Sequence, residues 1–119
     1  MSIARRYAVE LTAGAEQDLH DVVAFVATND SPERASALLD RLLATADTLA
    51  SAAERGSVPR ELQAVGIREY RQTMFKPYRL IYTVQEQPRP AVFVVVIVIA
   101  DGRRDMASLL QRRLLDPNV

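Results

Sequence analysis

Residues 91–100, AVFVVVIVIA, contain no polar side chain. Successive side chains of a strand point to opposite faces, so an unbroken apolar run is buried on both. The segment therefore reads as a central strand that must be covered on each side, by helices or by a partner. At ten residues it is about half the length a membrane-spanning helix needs. It is a core strand, and the rest of the chain has to supply its covers.

The first half of the sequence offers one cover. Thr12 provides an N-cap hydroxyl, and Ala15, Leu19, Val22, Val23 and Val26 follow at helical spacing. Glu16, Gln17, Asp18 and Asp21 take the wet face of that helix. Asn29-Asp30 breaks it. A second helix starts at once, with Ser31 at the N-cap, Pro32 at N1 and Glu33 at the positive end of the dipole. Its apolar stripe runs through Ala35, Leu38, Leu39, Leu42, Ala46, Leu49 and Ala53 and ends near Gly56. Two helices joined this tightly form an antiparallel hairpin.

Tyr7, Val9 and Leu11 alternate with Ala8 and Glu10, as in a half-buried strand. Residues 57–65 read as a loop or short turn, marked by Pro59 and closed by Gly66. Residues 67–75 form a strand ended by Lys76-Pro77. Residues 78–85 form the next, with Tyr78, Leu80, Tyr82 and Val84 on one face and Arg79, Ile81 and Thr83 on the other. The loop QEQPRP returns the chain into residues 91–100. Short loops favour an antiparallel meander for these three strands. Asp101-Gly102 signals a turn, Asp105 caps a last helix with the stripe Met106, Leu109, Leu110 and Leu114, and Asp116-Pro117 stops it. The order is β-α-α-β-β-β-α. The expected class is α+β, a helical hairpin packed on a mostly antiparallel sheet with a short C-terminal helix, as one domain over residues 1–119.

Composition removes several functions. There is no cysteine, so disulfides and thiolate metal sites are out, and neither a metal nor a cofactor is expected. The N-terminus lacks the long apolar stretch of a secretory signal, so the expected setting is soluble and cytoplasmic, without a membrane partner. Net charge is zero, but unevenly spread. Residues 1–59 hold five arginines against nine acids, and residues 60–119 hold ten cations against six acids. A basic second half suits an acidic partner or a phosphate backbone, or else pairs with the first half.

The stretch Tyr78-Arg79-Leu80-Ile81-Tyr82, the apolar strand, Gly102-Arg103-Arg104-Asp105 and a short terminal helix, in that order, resemble the RelE/ParE superfamily of toxins from type II toxin–antitoxin pairs. The resemblance spans nearly the whole chain and implies the same fold. It also implies one of two activities: RelE-like members cut messenger RNA on the ribosome, and ParE-like members inhibit DNA gyrase by binding it. Cutting RNA through its 2′-hydroxyl needs a base, cationic donors on the phosphate and an acid for the leaving oxygen. Arg79 matches the strand arginine of RelE-like nucleases, and Arg103 or Arg104 the arginine after their last strand. RelE-like enzymes usually carry a C-terminal tyrosine or histidine, which MASLLQRRLL lacks. The sole histidine, His20, lies on the wet side of the first helix, and there is one lysine. The ParE-like branch is therefore expected, with gyrase as target. A RelE-like ribosome-dependent endoribonuclease is the alternative, and a degenerate member kept only to bind antitoxin is a third reading.

The candidate contacts for target or antitoxin are Arg71, Arg79, Arg103, Arg104, Asp105, Leu109, Arg112 and Arg113; no catalytic residue is assigned. Arg79 either meets a partner or pairs with Asp105 or Glu69. Arg103 and Arg104 exceed what a capped corner requires. Arg112 and Arg113 complement the negative end of the last helix. Leu109, Leu110, Leu114 and Leu115 either dock on the sheet or form an exposed seat. Tyr70, Tyr78 and Tyr82 read as core aromatics with hydroxyls at the rim. The resemblance implies an antitoxin whose disordered segment folds onto an apolar groove, in an assembly that is commonly two-by-two. That segment is expected to cover Arg79, Arg103 or Arg104. No sequence-specific contact to nucleic acid is expected.

Overall fold

The computed structural model describes residues 7–85 and 93–116. Most of the QEQPRP loop, the first two residues of the apolar run and the Pro117 stop lie outside the described residues. The elements are β1 (Ala8–Leu11), α1 (Ala13–Asn29), α2 (Pro32–Asp47), α3 (Leu49–Ala52), a 3-10 turn (Ala53–Arg55), α4 (Arg60–Gln63), β2 (Tyr70–Phe75), β3 (Tyr78–Gln85), β4 (Phe93–Asp101) and α5 (Met106–Leu115). The class is α+β, as expected.

The caps act through the side chains that the sequence nominated. Thr12 accepts from the Ala15 N–H at 3.1 Å and Ser31 from the Arg34 N–H at 3.1 Å. Asp105 caps α5 by accepting from the Ser108 N–H. The second helix stops sooner than its stripe suggested. The Thr48 hydroxyl turns back to the Thr45 carbonyl at 2.6 Å, a local bond that competes with helix continuation. The stripe itself persists across the break, with Leu49 and Ala53 buried. Residues 60–63, within the stretch read as a loop or short turn, form the single helical turn of α4. It closes on Gly66, whose φ is +80°: Gly66 N–H bonds to Gln63 O and Ile67 N–H to Leu62 O, the Schellman pattern that favours glycine there. This closure keeps residues 67–69 out of the ladder, so β2 begins at Tyr70.

The sheet order is β1-β4-β3-β2. β2, β3 and β4 form the antiparallel meander, and β1 joins parallel to β4. The apolar strand is therefore internal and covered twice. On one face Ala15, Leu42, Ala46, Leu49 and Ala53 from the helical layer pack on Leu80, Tyr82, Val94, Val96 and Ile99. On the other, Leu62 of α4 and Met106, Leu109 and Leu110 of α5 pack on Ile81, Ile97, Val98 and Ala100. Fully burying the leucine, isoleucine, valine and methionine side chains among these stabilises by about 1.5–3 kcal/mol each.

The faces of β4 do not alternate throughout. Tyr82 pairs with Val96 and Ile81 with Val98, leaving Ile97 as the extra residue of a β-bulge. Val94 and Val96 face the helical hairpin before the bulge, and Ile99 faces it afterwards. A strand apolar at every position tolerates that slip.

The bulge adjoins a buried ion pair. Arg113, 5% exposed, donates from Nη1 and Nη2 to the two Asp18 carboxylate oxygens at 2.7 and 2.9 Å. Nη1 also reaches the Ile97 carbonyl at 2.7 Å, and the Ile99 N–H donates to Asp18 Oδ2 at 3.0 Å. β1 makes its last pair at Leu11 with Val96, so the open side of β4 beyond that point takes its partners from this pair. Two expectations change. Asp18 is not on the wet face, and Arg113 is a buried link from α5 to α1 rather than a solvated complement to the helix end. Of the two readings left open for Leu109, the docked one holds: it is buried on the sheet. Among the described residues no helix is long and apolar enough to cross a membrane.

Candidate binding site

Strand parity builds the site. β2 and β3 pair Gln72 with Ile81 and Met74 with Arg79, which puts Gln72, Met74 and Arg79 on the face opposite the helical hairpin. Arg79 is 6% exposed. Its Nη1 and Nη2 donate to the two oxygens of Glu61, each at 2.8 Å, and its Nε to Gln72 Oε1 at 2.8 Å. The expected partners Asp105 and Glu69 are thus replaced by Glu61, which α4 presents.

The Glu61 carboxyl is pulled from 4.5 down to about 2, chiefly by the hydrogen bond from Arg79, with burial working the other way. Its folded value lies below the unfolded one. The pair therefore stabilises the fold above about pH 4.5, and the contribution is lost as pH falls towards about 2. Glu61→Gln is expected to lower stability at neutral pH and to flatten the acid limb in that window. Thermal unfolding followed by circular dichroism from about pH 2 to pH 7 checks it, and an acid limb identical to wild type contradicts it.

The β4–α5 turn is clamped to the β2–β3 hairpin. Gly102 N–H donates to the Pro77 carbonyl at 2.7 Å. A Cβ at Gly102 would lie 2.9 Å from Arg79 Cδ and 3.2 Å from Pro77 O, so a larger residue there would have to displace the engaged Arg79 side chain. The next residue, Arg103, is held by Asp101. Its backbone N–H and Nε donate to Asp101 Oδ1 at 2.9 Å each, and Nη2 to Oδ2 at 2.6 Å. The Arg103 side chain is nonetheless 81% exposed. Its hydrogen bonds hold the Asp101 carboxyl below the usual range. Arg104 is exposed beside it. Asp105 accepts from both the N–H and the hydroxyl of Ser108, bonds that lower its pKa.

The result is a cleft of about 510 Å³ lined by Arg60, Gln72, Lys76, Arg79, Gly102 and Arg103, among others. Two predicted residues, Arg79 and Arg103, meet there, with Arg104 adjoining in sequence. Arg71 points to the other face and donates to the Gly56 carbonyl at 2.7 Å, pinning the exit of the helical layer. Arg112 is exposed in the last turn of α5. A second, apolar groove of about 530 Å³ lies between α4 and α5, where Leu62, Val65, Leu110, Leu114 and Leu115 meet. Val65 and Leu115 are 68% and 83% exposed, so the C-terminal stripe is docked at one end and bare at the other. Tyr82 is a core aromatic, but its hydroxyl is buried and donates to Ala53 O at 2.5 Å rather than reaching the rim.

Arg60, Glu61, Gln72 and Lys76 are the members that sequence reasoning passed over. Parity could have found Gln72, which shares a face with Arg79. Arg60 and Glu61 stood in a stretch read as loop. Among the described residues no cluster of histidine, aspartate and glutamate is placed to hold a metal ion. What the cleft can do is hold an anion.

Residues 9–106 match the family described as ParE toxin of type II toxin-antitoxin system, parDE. No curated protein matches the chain. Among solved structures, a chain of the chromosomal ParDE TA system from P. aeruginosa superposes with a TM-score of 0.64 at 14% identity, covering 82% of this chain and 98% of that one. That likeness carries the fold, and the family match carries the kinship. The chain belongs to the ParE toxin family of type II toxin–antitoxin systems.

Proposed function

We propose that this toxin acts by gripping DNA gyrase, and that a cognate antitoxin neutralises it. The observation that carries the reading is the state of the groups beside the arginines. Glu61 is locked to Arg79 with a carboxyl at about 2, Asp101 is locked to Arg103, and Asp105 is engaged as a cap. A general base works best with a pKa near the operating pH, and these carboxylates sit far below it. The Tyr78 hydroxyl, pushed up by burial and by Asp101, is shifted away from the range in which it would ionise. α5 has neither tyrosine nor histidine.

The exposed Arg103, Arg104 and Arg112 are the contacts offered to a partner. Arg71, Arg79, Asp105, Leu109 and Arg113 hold the frame that carries them. The groove between α4 and α5 suits an antitoxin segment that orders on binding, within a heterotetramer. Purified toxin added to gyrase and relaxed plasmid is expected to block supercoiling and to accumulate cleaved DNA. Normal supercoiling at a large excess of toxin overturns the reading. Cut messages in a translating extract would favour the nuclease alternative instead.

A further inference from the structure

The cleft beside Arg79 carries more positive charge than its own contacts cancel. Four cations line it, Arg60, Lys76, Arg79 and Arg103. Two carboxylates meet them, Glu61 and Asp101. All three donor-bearing nitrogens of Arg79 are engaged internally, so Arg79 is the floor and not the grip. The Arg60 side chain is 90% exposed, and its Nε stands 3.9 Å from Glu61. Lys76 is exposed. Arg60 and Lys76 are the open cations, and Arg103, although 81% exposed, shares its Nε and Nη2 with Asp101. The three come from the start of α4, the β2–β3 turn and the β4–α5 turn and converge on one cavity.

We propose that this cleft holds a phosphodiester group of a polynucleotide strand, without reading sequence and without cleaving it. A cavity of about 510 Å³ is in the size range of small-ligand sites. Guanidinium forks match the paired oxygens of a phosphate. Val58, Met74 and Pro77 supply an apolar wall for the sugar. No aromatic ring is among the described residues lining it, so there is no platform for stacking a base, and the grip is on the backbone. An acidic peptide fits less well. Peptides commonly add to a free strand edge, but here the Gln72 N–H of β2 already donates to Ser57 O at 2.8 Å. The apolar groove that would anchor peptide side chains lies elsewhere, between α4 and α5. The assignment rests on the gyrase reading only for which strand is held, the DNA of the gyrase complex.

The test uses the whole chain and a fluorescein-labelled 20-base-pair duplex of arbitrary sequence, read by anisotropy without gyrase. Wild type is expected to bind at low salt, with log K falling against log salt at a slope of about −1 for the one phosphate that the cleft neutralises. The triple variant Arg60→Gln, Lys76→Gln, Arg103→Gln alters only exposed side chains, and circular dichroism verifies its fold. It is expected to bind at least about tenfold more weakly. Arg41→Gln, on the exposed face of α2, is expected to leave binding within about twofold. No binding by wild type at low salt, or equal loss in Arg41→Gln, overturns the proposal. So does a polyglutamate peptide that displaces the duplex more effectively than unlabelled DNA, which would assign the cleft to an acidic partner. In the supercoiling assay, a wild type that binds DNA through the cleft yet leaves gyrase untouched refutes the gyrase reading and keeps the cleft. Equal inhibition by wild type and triple variant refutes the cleft's role and keeps gyrase.

Discussion

Arg113→Ala is expected to lower the free energy of unfolding by about 3–5 kcal/mol, the cost of breaking a buried ion pair from one side. The substitution leaves the Asp18 carboxylate, 11% exposed, without its cation. It also takes a donor from the Ile97 carbonyl. Domains of this size are stable by only about 5–15 kcal/mol, so the loss is a large share of the total and should show as a much lower urea midpoint. Urea denaturation with a two-state fit measures the effect. Arg113→Lys keeps the charge but loses the two-pronged geometry, so it should fall between wild type and alanine. Arg113 Nε makes no hydrogen bond within the described structure, so the loss comes from Nη1 and Nη2. A change below about 1 kcal/mol in Arg113→Ala, the value of an exposed pair, would show that the link is not the brace described.

Gly56→Ala is expected to cost about 3 kcal/mol, at the upper end of overpacking penalties. The backbone at Gly56 is ordinary, with φ −68°, so the demand is for space. A Cβ there would stand 2.1 Å from the Tyr82 hydroxyl oxygen, 2.9 Å from its Cζ and 2.7 Å from the Gln72 carbonyl. Tyr82 cannot retreat. It is fully buried on the central sheet, and its hydroxyl is tied to Ala53 O. The new methyl must displace the 3-10 turn, breaking that bond and the one from Arg71 to Gly56 O. A double-mutant cycle distinguishes crowding from other causes. Tyr82→Phe alone removes the hydroxyl and is expected to cost about 1 kcal/mol. In Gly56→Ala/Tyr82→Phe the tightest contact is gone, so the combined loss should be smaller than the sum. Additive losses would contradict the steric account.

The parts legible in the sequence were those encoded locally. Cap hydroxyls and carboxylates act on amides three residues away, so Thr12, Ser31 and Asp105 could be read directly. The fully apolar run of β4 required two covers, and two are present. The bulge at Ile97 was invisible for the same reason: where every side chain is apolar, a slip of face leaves no trace in the pattern. The ion pairs were hidden by distance along the chain. Arg79 and Glu61 are 18 residues apart, and Arg113 and Asp18 are 95 apart. Asp18 stands among Glu16, Gln17 and Asp21, so it resembled one more solvated acid until α5 came down beside it. The cleft followed the same rule. Arg79 and Arg103 stood out as charges next to an apolar strand, and Arg60 and Lys76 joined them only through tertiary packing.

The pairing of β1 with β4 has a consequence for synthesis. The strand made first completes its ladder only with the strand made last, and the Asp18 brace waits for α5. The contacts within the helical hairpin are local in sequence, whereas the β1–β4 ladder and the Asp18–Arg113 pair both need the chain from residue 93 onward.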